Sequence, residues 1–224
     1  MMQLPVVFFL VTTFSVLTGA VTMKTLIFPK ATNDSYVELV RLKPLALDAF
    51  TLCMRVATEL KGEREVILFA YRTRENVNDE LKVWRKFDGR LSLFLSGDGV
   101  AFDLPQLEAL ETHLCITWDS SSGLATMYHN GRKSLSKPCR QGHYVRSGGK
   151  VILGQDPDTY DGEFDQSQSF VGEISDVNMW DTVLPYSTIQ ELYSGKRVQP
   201  GNIFDWRAIE LESYGAVHVA TREL

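Results

Sequence analysis

Short runs of apolar and β-branched residues, separated by turn-forming residues, extend through most of the sequence. The clearest predicted strands are Tyr36–Val40, Phe50–Val56, Val66–Ala70, Leu81–Trp84, Leu91–Leu95, Leu114–Trp118, Ala125–Tyr128, Val151–Leu153 and Glu173–Trp180. The turn residues between them are Asp88-Gly89, Gly97-Asp98-Gly99, Ser122-Gly123, Asn130-Gly131 and Gly148-Gly149. Many short strands without alternating helices are typical of an all-β antiparallel sandwich.

Two local patterns add detail to this picture. Strand-forming residues flank Asn130-Gly131, a pair that favours a two-residue hairpin turn. The segment from Pro185 to Gly195 predicts one short helix, with proline in its first turn and glycine at its end. The residues spaced for the apolar face of this helix are Ile189, Leu192 and Tyr193.

The first 20 residues contain no charged side chain, and the apolar run from Val6 to Leu17 is too short to span a bilayer comfortably. Small residues follow it at Thr18-Gly19-Ala20, which predicts a secretory signal over residues 1–20 with cleavage after Ala20. A buried amino-terminal strand or an uncleaved anchor is the alternative. No linker or repeat divides the remainder, so we expect a single secreted, extracellular domain over residues 21–224.

Composition narrows the function classes. The 224 residues are 44% hydrophobic, and 23 basic against 28 acidic side chains give a net charge of −5. A chain without a basic excess is a poor nucleic-acid binder, because it cannot neutralise phosphates. Its 23% of charged residues and 11% of aromatic residues also argue against a disordered chain.

Export would permit disulfide bonds. Cys53 and Cys115 both lie in apolar, β-prone runs that would face a core, whereas Cys139 lies in a polar segment. A bond between the first two would leave Cys139 free, capped or paired between chains. Asn33-Asp34-Ser35 is a candidate glycosylation site, usable once the chain is exported.

The segment from Gln155 to Gln168, here called the acidic loop, is the most unusual part of the sequence. Five carboxylates fall within ten residues, at Asp156, Asp158, Asp161, Glu163 and Asp165. Crowded carboxylates repel one another unless a cation neutralises them, and oxygen ligands suit Ca²⁺. The spacing excludes an EF-hand, since Asp161 and Ser167 stand where that motif needs Gly and Glu. A calcium site and a solvated acidic loop both fit this pattern.

A second candidate lies on the strand that begins at Leu81. If Leu81 and Val83 face the core, alternation places Lys82 and Trp84 on the opposite face. An exposed Trp84 would be a platform for a ligand, particularly a quaternary ammonium group. The alternative is a tryptophan covered by another part of the same fold.

A family resemblance then becomes evident. His113-Leu114-Cys115-Ile116-Thr117-Trp118-Asp119-Ser120 matches the pentraxin signature without a gap. Further similar segments are Leu26–Lys30, Ile152–Gln155, Val177–Asp181 and Asn202–Trp206. The chain resembles the short pentraxins over essentially its whole mature length.

The resemblance implies a flattened, concanavalin-like jelly-roll sandwich, a disulfide between Cys53 and Cys115, and a face that binds two calcium ions. The implied calcium ligands are Asn78, Asp79, Asp156, the carbonyl of Pro157, Asp158, Asp165 and Gln168. Two departures from the family pattern are present. The Asp-Asn pair is reversed at Asn78-Asp79, and aspartates replace the longer glutamates at 156 and 165, which shortens the reach to the second ion.

The resemblance also implies how ligand is held: phosphate oxygens bridge the calcium ions, and choline methyl groups lie against an aromatic ring. Trp84 matches that ring, and Asp98 is the acid nearest to the choline-pairing position, which Gly99 occupies. Phe94 replaces a threonine that helps to shape the pocket. The expected ligands are phosphocholine, phosphoethanolamine or acidic sugars.

Assembly and partners follow from the same resemblance. We expect a cyclic homo-oligomer, with a homopentamer favoured, and complement components and Fc receptors as partners of the opposite face. Two other classes compete with this interpretation: a laminin-G-like adhesion module without a small-molecule site, and a glycoside hydrolase on a similar sandwich. The hydrolase motif is incomplete, because Glu163-x-Asp165 is followed by Ser167. His113 is interpreted as a packed, hydrogen-bonded residue and not as a catalytic one.

Overall fold

The computed structural model describes residues 22–40, 43–61, 64–75, 78–196 and 198–223. The predicted signal peptide over residues 1–20 lies outside these ranges. The strands, in chain order from β1 to β15, are Thr22–Phe28, Val37–Val40, Ala49–Ala57, Val66–Thr73, Leu81–Arg85, Leu91–Leu95, Asp98–Phe102, Thr112–Asp119, Leu124–His129, Arg132–Lys133, Lys137–Pro138, Gly149–Leu153, Gly172–Trp180, Glu210–Ser213 and His218–Glu223. A short 3-10 helix spans Gln166–Gln168, and α1 spans Tyr186–Tyr193.

The strands form two antiparallel sheets. The larger sheet has eight strands in the order β10-β9-β8-β3-β13-β1-β15, with β11 also paired to β9. The smaller sheet has seven strands in the order β14-β2-β12-β4-β5-β6-β7. Non-consecutive strands lie side by side in both sheets, so many of the contacts join distant parts of the chain. The predicted antiparallel sandwich with one short helix is confirmed.

Strand alternation explains the core. On β3 and β8, Leu52, Met54, Ile116 and Trp118 point between the sheets and are fully buried. The two strands pair in register along their whole length, from Ala49↔Asp119 to Val56↔Thr112. Burial of large apolar side chains at about 25 cal/mol per Å² makes this layer the main source of stability.

The predicted hairpin is confirmed at β9 and β10, where His129 pairs with Arg132. Asn130 and Gly131 both have positive φ, of 49° and 73°, as a two-residue hairpin turn requires. The prediction of a turn at Gly97-Asp98-Gly99 is wrong in register. Ser96 and Gly97 make that turn, and Asp98 already belongs to β7.

The disulfide between Cys53 and Cys115 is present, and the two residues lie directly opposite each other on β3 and β8. Both cysteines are buried as expected, but on the outer side of the larger sheet and not between the two sheets. There they pack with Tyr128, Trp180 and Ile189 in a second apolar cluster. Since Ile189 belongs to α1, this cluster attaches the helix to the sheet.

The helix largely follows its prediction. Pro185 precedes the first turn, Ile189 is fully buried, and Gly195 follows the last turn with a φ of 71°. Tyr193 departs from it, because its ring is exposed. The guanidinium of Arg55 donates hydrogen bonds to the carbonyls of Leu192 and Tyr193, which places positive charge at the helix carboxyl end.

Cys139 is free and 5% exposed, and it packs in the main core between the sheets. Burial raises the pKa of its thiol to about 11. A thiol in this position does not reach a neighbouring chain, so the pairing between chains considered for Cys139 disagrees with the structure.

His113 is buried on β8, and its Nδ1 has no hydrogen-bond partner. Its Nε2 lies 3.7 Å from the sulfur of Cys115. Burial, followed by the nearby charge of Arg55, lowers the pKa of His113 from 6.5 to about 3. His113 is packed, as expected, but the expected hydrogen bonding is wrong for Nδ1.

Removal of the disulfide should destabilise the fold. Its cysteines are 62 residues apart, and a loop of that length gives a loss of about 4 kcal/mol in the loop-entropy description. We expect this loss for the double variant Cys53→Ala/Cys115→Ala in urea unfolding monitored by tryptophan fluorescence. A reductant should lower the stability of the wild type but leave the double variant unchanged. Equal stability of the two proteins without reductant would contradict the expectation.

His113 should make the fold sensitive to acid. The unfolded chain protonates His113 near pH 6.5 and the folded chain only near pH 3, so stability falls as the pH drops through this window. Between about pH 6.5 and about pH 4 the loss due to this residue is about 3 kcal/mol. His113→Gln should therefore lose about that much less stability than the wild type over this interval. His218→Gln, at an exposed position on β15, is the matched control. Parallel losses in the wild type and His113→Gln would refute this assignment.

Candidate functional site

The predicted site residues converge on the outer face of the smaller sheet. A pocket of about 410 Å³ opens there, between strands β4, β5 and β6 and the acidic loop. The predicted residues that line it are Asn78, Asp79, Trp84, Asp156, Asp158 and Gln168. Pro157, Asp165 and Asp98 do not line it.

The pleat of β5 positions one wall. Leu81 and Val83 point into the main core, and Lys82 and Trp84 point outwards, as alternation predicts. The predicted exposure of Trp84 is wrong, because its side chain is only 5% exposed. Its neighbours on this face are Ile67, Ala70, Ile152 and Phe94. Trp84 therefore contributes an edge of a small apolar cluster to the pocket, and not a free ring.

The acidic loop follows β12 and folds back on itself. Asp156 and Pro157 are buried at its start, and Asp158 is exposed. The backbone N–H of Asp158 donates to the carbonyl of Glu163, which closes a tight turn. Further along, the carboxylate of Asp165 accepts a hydrogen bond from the backbone N–H of Ser167 and caps the 3-10 helix. This helix brings Gln168 back to the pocket wall beside Asp156.

Asp79 is fixed by its neighbour Glu80, which points to the other side of the chain. The buried carboxylate of Glu80 pairs with His143 at 3.0 Å and with Arg146 at 3.0 Å. The backbone N–H of Glu80 also donates to the carbonyl of Tyr71 on β4. These contacts hold the start of β5, so the Asp79 side chain has a defined position in the pocket.

Asn78 approaches the turn between β6 and β7. Gly97 in this turn has a φ of 85°, and a Cβ added there would lie 2.7 Å from Nδ2 of Asn78. Only glycine therefore allows Asn78 this close approach. In β7, Gly99 faces Phe94 on the pocket side, and Asp98 pairs with Leu95, whose side chain points into the core. The structure thus turns Asp98 away from Trp84 and towards Cys139, whose pKa its charge helps to raise.

The centre of the pocket is a charge cluster. Asp79 and Asp156 are 5% and 4% exposed, and the ammonium of Lys82 lies 3.0 Å from Oδ2 of Asp79 and 3.1 Å from Oδ2 of Asp156. The guanidinium of Arg72 lies 3.1 Å from Oδ1 of Asp79. Two positive side chains thus balance the two buried carboxylates.

The pKa values of this cluster show how the charges are distributed. Burial alone would lower the pKa of Lys82, but the charges of Asp156 and Asp79 outweigh it, so the pKa is raised. Burial and the nearby charge of Asp79 raise the pKa of Asp156, against the opposing effect of Lys82. Lys82 therefore stays protonated. Asp156 shares Lys82 with Asp79, which also has Arg72, so Asp156 is the less well compensated of the two carboxylates.

Buried oxygen atoms without a hydrogen-bond partner indicate whether these residues could bind a cation. Oδ1 of Asp156, Oε1 of Gln168 and Oε1 of Gln155 are buried and have no hydrogen-bond partner. The amide nitrogen of Gln155 donates to the carbonyl of Thr32, which fixes the orientation of that amide. Buried acceptors without a donor are costly, and hard oxygens of this kind are what Ca²⁺ binds. The unpaired oxygens of Asp156 and Gln168, two residues that line the same pocket, therefore fit a divalent cation.

The remaining predicted residues lie apart from the pocket. Asn33 is exposed, as a glycosylation site requires, and its modification stays a prediction. Glu163 is exposed, and Asp165 is engaged in capping the 3-10 helix. The second glutamate of the hydrolase motif is absent, since Ser167 occupies its position.

Sequence reasoning missed two functional side chains, Lys82 and Arg72. Alternation had placed Lys82 on the face of Trp84, which was the available signal, but it did not reveal the carboxylate partners. Arg72 carried no such signal, because its contact with Asp79 depends on how β4 turns into β5. Residues 76 and 77 in that connection lie outside the described ranges.

Comparisons with known proteins agree on one family. A sequence profile of the Pentaxin family matches residues 24–221. A C-reactive protein from Danio rerio is 54% identical over 202 residues, covering 88% of each chain, and a serum amyloid P-component from Homo sapiens is 39% identical over 194 residues, covering 87% of this chain and 85% of the relative. A heptameric SAP-like pentraxin from Limulus polyphemus has the same fold, with a TM-score of 0.77 at 22% identity, covering 88% of this chain and 94% of that chain.

Calcium should stabilise the folded chain through Asp156. A ligand present at about 100 times its Kd adds about 2.7 kcal/mol to the free energy of unfolding. We therefore expect CaCl₂ to raise the melting temperature of the wild type, and Asp156→Asn to lose most of this increase. The control is Asp161→Asn in the same loop, whose side chain is 78% exposed and does not line the pocket. The same calcium-dependent increase in Asp156→Asn as in the wild type would speak against the site.

Proposed function

The chain belongs to the pentaxin family, and from this premise we propose that it is a calcium-dependent recognition protein for phosphate-bearing ligands. Membership of this family makes it a recognition protein and not an enzyme. We propose microbial or damaged-cell surfaces as its targets, with phosphocholine and related phosphorylated groups, or acidic glycans, as the ligands. The single observation that carries the proposal is the set of unpaired buried oxygens at Asp156 and Gln168, beside an apolar wall.

In this proposal the calcium ligands are Asn78, Asp79, Asp156, the carbonyl of Pro157, Asp158, Asp165 and Gln168. We propose two ions per subunit, for which these ligands supply four carboxylates. Asp165, which caps the 3-10 helix outside the pocket, would have to turn towards the second ion. Bound calcium would supply a hard positive charge to phosphate oxygens. The protein's own part is to hold Asp79 and Asp156 in place, through the Glu80 contacts and through the turn of the acidic loop.

The apolar wall would receive the uncharged part of a ligand. Trp84 and Phe94 lie side by side on the outer face of the smaller sheet, and both line the pocket. Phe94 is half-buried, so its ring offers more accessible surface than Trp84 does. Trp84 therefore acts mainly as a support for this surface.

We propose that the protein is secreted. The proposal rests on the signal peptide predicted over the uncharged residues 1–20. The disulfide supports it, because disulfides are typical of an oxidising compartment. Among the described residues, none of the helices has the length and apolar character needed to cross a bilayer. Exposure of Asn33 is compatible with glycosylation during export.

We also propose a cyclic homo-oligomer, with a pentamer favoured. The pocket binds one small group, and a single small contact of this kind is weak. Several pockets on one face of a ring would multiply avidity against a repetitive surface. The relative from Limulus polyphemus is a heptamer, which supports ring assembly on this fold. Complement components and Fc receptors are the proposed partners of the face that carries α1.

Retention on immobilised phosphate esters tests the proposed function. One matrix carries phosphoethanolamine coupled through its amine, which leaves the phosphate free, and a second carries phosphocholine. We expect retention in millimolar calcium on at least one matrix, and release by a chelator, because the phosphate is held through the metal.

Two variants make this test specific. Asp158→Ala should lose retention, since it removes a carboxylate at the pocket, and Asp161→Ala should keep it. Retention that is indifferent to the chelator on both matrices, or none at all, would argue for a laminin-G-like adhesion module instead.

A further inference from the structure

We propose that Lys82 determines ligand specificity, by acting as an internal cation that makes the pocket favour phosphate ligands without a positively charged group. The inference rests on the proposed function and narrows its ligand class. Its basis is that Lys82 contacts both the carboxylates that a metal would need and the aromatic rings that the cationic end of a zwitterionic ligand would need.

The first contact is with the carboxylates. The Lys82 ammonium lies 3.0 Å from Oδ2 of Asp79 and 3.1 Å from Oδ2 of Asp156. With Arg72 on the other oxygen of Asp79, both oxygens of that carboxylate already face a positive charge. Lys82 thus holds the buried carboxylates together in the absence of a metal.

The second contact is with the aromatic wall. The same ammonium lies 4.9 Å from the ring centroid of Trp84 and 5.8 Å from that of Phe94. These distances are within the range of cation–π attraction. Lys82 therefore already lies where the cationic end of a zwitterionic ligand would find its aromatic partners.

Metal binding would break the contact of Lys82 with the carboxylates and leave its contact with the aromatic rings. A calcium ion bound through the unpaired Oδ1 of Asp156 would lie close to the Lys82 ammonium, which is 3.1 Å from Oδ2 of the same carboxylate, and the two positive charges would repel each other. Lys82 would then have to leave Asp79 and Asp156. Its side chain is 22% exposed and begins two residues before Trp84 on the same face of β5, so its remaining partners are the two rings.

The ligand would then meet a positive charge at the wall. A quaternary or primary ammonium placed over Trp84 and Phe94 would be repelled by Lys82, whereas a phosphate nearby would be attracted. The opposite strand β7 offers no carboxylate there, because Gly99 faces Phe94 and Asp98 points to the other side of the strand. The two further charged side chains of the pocket, Glu65 and Lys86, carry opposite charges. The ligand class we infer is a phosphate monoester whose remaining part is neutral, such as a phosphorylated sugar or glycerol phosphate.

The experiment compares Lys82→Met with the wild type. Methionine keeps the length and apolar stem of lysine and removes the charge. Because Lys82→Met leaves two buried carboxylates with less compensation, Lys82→Gln serves as a second variant that still donates hydrogen bonds. The matched control is Lys150→Met, since Lys150 also contacts a carboxylate, Glu38 at 3.8 Å, and an aromatic ring, Tyr160 at 5.1 Å, but not Asp79 or Asp156.

Two calorimetric measurements are made on the full chain. With CaCl₂ alone, Lys82→Met should bind calcium about tenfold more tightly than the wild type, because the competing cation is gone. At saturating calcium, the ratio of phosphocholine affinity to glycerol phosphate affinity should be below one in the wild type and rise about tenfold in Lys82→Met. Lys150→Met should match the wild type in both measurements.

The outcomes separate this inference from the proposed function. An unchanged ratio in both Lys82 variants would overturn the inference, and so would a wild type that prefers phosphocholine. Calcium-dependent binding of either ligand by the wild type would still support the proposed function in that case. Absence of binding of both ligands by the wild type would instead refute the proposed function, and the inference with it.

Discussion

Burial of two adjacent carboxylates, Asp79 and Asp156, is the constraint on which the proposed binding pocket depends. A buried carboxylate costs several kcal/mol unless positive charge and hydrogen bonds compensate it. Here β4 and β5 contribute that charge through Arg72 and Lys82, and Asp156 in turn ties the acidic loop to the sheet. The strands hold these side chains in place because their other faces pack into the main core. On β4 and β5, alternate side chains therefore form the pocket on one face of the sheet and the main core on the other.

The fold was largely predictable where strands are central and apolar. Leu91–Leu95 was predicted to the residue, and the ends of the strand around Cys53 differ by one residue each. Strands at the sheet edges escaped prediction, as β14 and β15 consist mostly of exposed residues such as Glu210 and His218. Edge strands bury too few side chains to leave an alternating apolar pattern. The partners of β14 and β15 are β2 and β1, which lie far away in sequence, so no local signal identifies these two strands.

The site was predictable in its composition and less so in its geometry. The family resemblance and the carboxylate spacing named Asp156 and Asp158, and both line the pocket. Alternation assigned Trp84 to the correct face but could not show what covers it, since Ile67 and Ile152 come from two other strands. The same limit applies to Asp98, whose orientation depends on the position of the turn at Ser96 and Gly97. If the turn is shifted by one residue along the chain, every side chain of β7 points to the opposite face of the sheet.

Cys139 gives this sandwich a built-in reporter of its own opening. The thiol lies between the two sheets, and burial keeps it in the unreactive protonated form. A labelling reagent reaches it only when the sheets separate, so its rate of modification follows the population of opened molecules and not surface accessibility. No engineered cysteine is therefore needed to measure whether calcium or a ligand slows the separation of the two sheets.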